Sequence, residues 1–153
     1  MNFRLKKQIV FQIKIICIVQ FILFFNAFVF DFLVNYYNVE LGFENSNLFN
    51  SKVEKIVSLL LMAPIIETLV FNFLINEILV KFLNHFYSIL ISSFIFALIH
   101  YYSIYYALYG LLGGLIFNSI YFYFKQQFSI RIAVLVVILL HLNHNLLGLI
   151  LNK

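Results

Sequence analysis

The chain has 153 residues, of which 64% are hydrophobic and 10% charged, with a mean hydropathy of +1.01. Soluble domains carry about a quarter charged residues, so the composition excludes an ordinary soluble domain and points to a polytopic membrane protein. The formal net charge of +4 comes from Lys and Arg scattered between the apolar runs. They form no dense basic stripe, which argues against a nucleic-acid partner and makes them topology markers. A single cysteine, Cys17, forms no intrachain disulfide and excludes a Cys-based structural metal site.

The expected architecture is an all-α membrane helix bundle of about five transmembrane helices. Residues 1–14 carry Arg4, Lys6, Lys7 and Lys14, and an apolar run follows over 15–34. That run is too long for a signal-peptide core and no small-residue cleavage site follows it, so it reads as the first span, with a cytoplasmic N-terminus. Residues 35–55 hold Glu40, Glu44, Lys52, Glu54 and Lys55 and read as an outer loop. The second span, 56–80, carries Glu67 at its centre and Pro64 one turn before it, where a missing N–H would loosen the backbone. Glu77 lies near the inner end and reads as an interfacial charge. The third span, 88–102, ends with His100. The fourth, 105–124, carries Gly110 and Gly114 as a G-x-x-x-G pair suited to close helix packing within the chain. The fifth, 132–151, carries His141, Asn143, His144 and Asn145. Seven basic residues then fall inside (Arg4, Lys6, Lys7, Lys14, Lys81, Lys125, Arg131) and three outside (Lys52, Lys55, Lys153). Residues 1–55 are read as an N-terminal membrane helix with its outer loop, and 56–153 as the core.

Chemistry concentrates on Glu67. A charged side chain at mid-bilayer costs about 2.5–3.5 kcal/mol on insertion scales, so such a group marks a functional site by default. His141 and Asn145 are four residues apart and share a helix face, with His144 at its border. Thr68 and Asn72 share the neighbouring face of the second span. Polar groups at depth turn toward the bundle interior, which would gather Glu67, His100 and His141. Two chemistries fit. Glu67 would activate water as a general base, with a His orienting it. Alternatively Glu67, His100 and His141 would bind a divalent metal such as zinc, with Asn145 serving a developing oxyanion. No H-E-x-x-H is present. The bland readings are an interhelical hydrogen bond for His100 and structural or interfacial roles for Asn143 and His144.

Three motifs in order resemble the CPBP family of intramembrane proteases, which includes the type II CAAX prenyl endopeptidase and bacterial Abi-type proteins. They are PIIETLVFN (64–72), FALIH (96–100) and HLNHN (141–145), within a resemblance covering 63–152. The resemblance implies an integral, multi-pass protein of a bacterial cell membrane that cleaves a membrane-associated peptide or protein. Glu67 would match the water-activating Glu, and His100, His141 and Asn145 the other catalytic positions. It leaves metal and glutamate chemistry open; the scarcity of further ligands favours the glutamate, with no cofactor. The sequence departs from the family pattern at two positions: Thr68 stands where a second Glu is usual, and Asn72 where an Arg is usual. Both members of that ion pair are therefore neutral here, so no lone buried charge remains. The departure supports an alternative, a non-catalytic bacteriocin-immunity or binding protein on the same scaffold. A third class, a proton-relay transporter, would call for internal symmetry, and none is evident.

Overall fold

The computed structural model describes residues 3–39, 51–101 and 103–151, with side chains from residue 7 onward. Most of the expected outer loop, 40–50, lies outside the described residues, as do the side chains of Arg4, Lys6 and Lys153. Among the described residues the fold has five helices: α1 (Phe3–Tyr36), α2 (Lys52–Leu79), α3 (His85–Leu98), α4 (Ile104–Gln127) and α5 (Ile130–Leu151). No strand occurs among the described residues. Four of the helices start on side-chain caps: Ser51 Oγ, Asn84 Oδ1, Ser103 Oγ and Ser129 Oγ each accept the backbone N–H three residues on.

Four of these helices are long and apolar enough to cross a membrane. The exception is α3, whose 14 residues rise about 21 Å, short of a hydrocarbon core of about 30 Å. The third span thus departs from the expected 88–102: its helix begins earlier, at His85, and stops at Leu98. The crossing continues as turns through residues 99–101. Irregular backbone is tolerated at depth only where protein or a cavity covers it, and the site described below supplies that cover.

Pairings at the helix ends fix the directions. At one end Glu77 of α2 meets Lys125 and accepts from Tyr121 Oη at 2.7 Å, both on α4. His85, opening α3, meets Gln126 there. At the other end the rings of Tyr37 and Tyr105 stack, as do Phe30 and Tyr109. Successive helices therefore run in alternating directions.

The core lies where α1, α4 and α5 meet. Leu23, Phe117, Tyr121, Ala133 and Val137 are sealed there. In lipid such burial gains little over contact with acyl chains, so close packing and hydrogen bonds hold the bundle. The Gly110/Gly114 pair supplies the packing, within the chain as expected. A Cβ at Gly114 would lie 3.2 Å from Ser93 Cα, and one at Gly110 would lie 3.0 Å from the His100 ring. A buried amide cluster supplies the hydrogen bonds. Asn72 Nδ2 and Asn76 Nδ2 both donate to Asn118 Oδ1, and Asn118 Nδ2 donates to Ser93 Oγ at 2.9 Å, tying α2, α3 and α4 together.

Candidate active site

The site begins with the backbone of α2. Two stretches, Ser58–Met62 and Thr68–Ile75, carry wider i→i+5 turns, and between them Ala63–Glu67 is α-helical. The loosening expected at Pro64 takes this form. The Ala63 N–H reaches back to Ser58 O. The next bond of that series would run to Leu59 O from residue 64, and proline has no N–H. Leu59 O is met instead from α5: Asn145 Nδ2 donates to it at 2.8 Å. The second wide stretch ends likewise. The Asn76 N–H turns to Phe73 O, and Phe71 O accepts Ser92 Oγ of α3.

Glu67 sits between these two places, near the middle of α2, and its Oε2 lies 3.4 Å from His141 Nε2 on α5. The His141 side chain is 4% exposed and that of Glu67 21%, so the carboxylate keeps an open side that the imidazole lacks. His141 stacks on Phe117 with ring centroids 4.5 Å apart. Its Nδ1 has no hydrogen-bond partner among the described residues.

His100 lies just past the end of α3. Its Nδ1 is 2.8 Å from Phe96 O, one of the carbonyls that a helix end leaves without a partner. A carbonyl only accepts, so Nδ1 carries the proton and Nε2 offers a lone pair. Gly110 gives the ring its room. Helix termination, glycine spacing and side-chain capping thus all serve to place one imidazole.

Glu67, His100, His141 and Asn145, the four residues singled out from sequence, line one cavity of about 70 Å³, together with Phe96, Tyr109, Phe117 and His144. That volume is ample for water among polar walls. His144 stacks on Tyr109, with centroids 5.1 Å apart, behind this layer. Asn143 does not line the cavity; it is exposed on the outer face of α5. As for metal, no three His, Cys, Asp or Glu side chains among the described residues are gathered so as to hold an ion. Glu67, His100 and His141 do not fit that role as placed.

Thr68 and Asn72 are fully buried or nearly so. Thr68 Oγ1 has no partner among the described residues, and Asn72 joins the amide cluster. Sequence reasoning passed over Asn76 and Asn118, and read Ser93 only as a small residue for close helix packing. The available signals were spacing: Asn76 is four residues after Asn72, and Asn118 four after Gly114.

The family model of the type II CAAX prenyl endopeptidase Rce1-like proteins matches residues 50–147. No curated protein and no solved structure matches significantly. The matched stretch covers more than half of the chain and holds all four cavity residues named above. With four helices able to cross a bilayer, this is an integral membrane protein, and it belongs to the type II CAAX prenyl endopeptidase Rce1-like family.

Proposed function

We propose that the protein is an intramembrane endopeptidase that hydrolyses a peptide bond of a membrane-associated peptide or protein. The observation that carries this reading is the Glu67 carboxylate facing His141 Nε2 at 3.4 Å on the wall of a small polar cavity. Glu67 takes a proton from water as the water oxygen attacks the scissile carbonyl carbon. The developing oxyanion is met by the Asn145 N–H that Leu59 does not use. The C–N bond then breaks, and the proton passes to the leaving amine by way of Glu67. His141 fixes the carboxylate, and His100, with its lone pair at Nε2, orients the water.

The test is cleavage of a library of membrane-tethered peptides by purified protein, comparing wild type with Glu67→Gln and His141→Ala, with and without chelator. Cleavage that needs both residues and survives chelation is the expected result. No cleavage by folded protein would sink the reading.

A second reading is supported by two buried neutral residues, Thr68 and, in the amide cluster, Asn72: a binding or bacteriocin-immunity protein without turnover. Under it, Glu67→Gln would retain the protective phenotype in cells.

A further inference from the structure

We propose that Pro64 and Asn145 form one device: the proline leaves the Leu59 carbonyl without a helix donor, and Asn145 clamps that carbonyl so that α2 holds Glu67 against His141. Asn145 is thereby a positioning residue, in addition to any contact with substrate.

The argument is an accounting of backbone bonds. A buried carbonyl without a donor costs about 1–3 kcal/mol, and lipid offers no replacement. In α register Leu59 O would take the Ala63 N–H, which is spent on Ser58 O. In the wider register it would take residue 64, which is Pro64 and has no N–H. Neither helical donor exists, so the bond must come from another element, and Asn145 Nδ2 provides it at 2.8 Å. Asn145 is four residues from His141, hence on the same face of α5. Leu59 is eight residues from Glu67 along α2. The clamp therefore joins the two helices that carry the carboxylate and the imidazole, two turns from where those groups meet. Ser92 on Phe71 O holds α2 from the other side of Glu67. A side chain that moved α2 by one hydrogen-bond register would turn Glu67 away from His141.

The functional meaning rests on Glu67 being the base, but the test needs no turnover. Dicyclohexylcarbodiimide, an apolar reagent that couples to carboxyl groups, reports the freedom of Glu67 by mass spectrometry, with Glu77 at the far end of α2 as internal reference. Asn145→Ala is expected to raise Glu67 labelling about fivefold relative to Glu77, the equivalent of one lost hydrogen bond. Pro64→Ala restores an N–H for the Leu59 carbonyl. In that background Asn145→Ala should change labelling by less than about twofold. Ser92→Ala should raise labelling equally with and without Pro64→Ala, because its carbonyl is a different one. Equal effects of Asn145→Ala in both backgrounds overturn the proposal. If Asn145→Ala alone does not stay monodisperse, recovery by Pro64→Ala supports the device and no recovery overturns it. An intact cycle in a protein that cleaves nothing would count against the protease reading alone.

Discussion

A carboxylate in hydrocarbon is costly to keep, and Glu67 is partly open to the cavity, with His141 Nε2 at 3.4 Å. Glu67→Gln keeps shape and hydrogen bonding while removing the base. Loss of general-base catalysis lowers the rate by about 10²–10⁴-fold. Cleavage of a tethered peptide should fall by that factor, while the unfolding temperature in detergent stays the same or rises. A parallel drop in stability would instead make Glu67 a structural group. Glu67, His100, His141 and Asn145 were legible in the sequence because lipid punishes polar side chains, so each stood out against apolar neighbours. The partner of Asn145 was not legible. That the amide meets Leu59 O depends on where the wide turn of α2 begins, and a helix's hydrogen-bond register leaves no composition signature. Asn118 was hidden for a related reason: its importance lies in joining three helices, which only the packing reveals.

Among the elements, α3 and α4 carry the site's geometry through two glycines with different neighbours. A Cβ at Gly110 would press on the His100 ring, a side chain able to swing; one at Gly114 would press on Ser93 Cα, which belongs to the backbone. Gly110→Ala should therefore reduce cleavage by displacing the imidazole, with little change in unfolding temperature. Gly114→Ala should lower the unfolding temperature by pushing α3 from α4. Equal effects of the two on both readouts would refute this division. The amide cluster gives a second prediction at this scale. Asn118→Ala deprives Asn72, Asn76 and Ser93 of a shared partner. It should destabilise the bundle by about 1–3 kcal/mol in thermal or denaturant unfolding. The number of helices among the described residues and the place of each glycine could be read from the sequence, since apolar length and small-residue spacing are local. The early stop of α3 could not: nothing near Leu98 breaks a helix, and the turn persists because His100 caps Phe96 O and the cavity covers the backbone.

The whole molecule poses one question that the short α3 sharpens: whether the chain crosses the bilayer five times or four. The end pairings bear on it. Glu77 of α2 and Lys125 of α4 share one end, and Tyr37 and Tyr105 share the other. From His85 to Leu98, α3 covers about 20 Å, and the turns through residues 99–101 carry the chain toward the start of α4, whose 24 residues rise about 36 Å back to Gln127. We therefore expect five crossings, with Ser51 and Gln127 on opposite sides. Lys81, Lys125 and Arg131 gather on the Gln127 side, against Lys52 and Lys55 on the Ser51 side. By the positive-inside rule, the expected orientation has the Gln127 side and the N-terminus in the cytoplasm. Replacing the single native cysteine by Cys17→Ser allows a direct check with Ser51→Cys and Gln127→Cys, both at exposed positions. A membrane-impermeant maleimide applied to intact cells should label Ser51→Cys at once and Gln127→Cys only after permeabilisation. Labelling of both from outside would mean that α3 dips in and returns, leaving four crossings. Labelling of Gln127→Cys alone would keep five crossings and invert the protein.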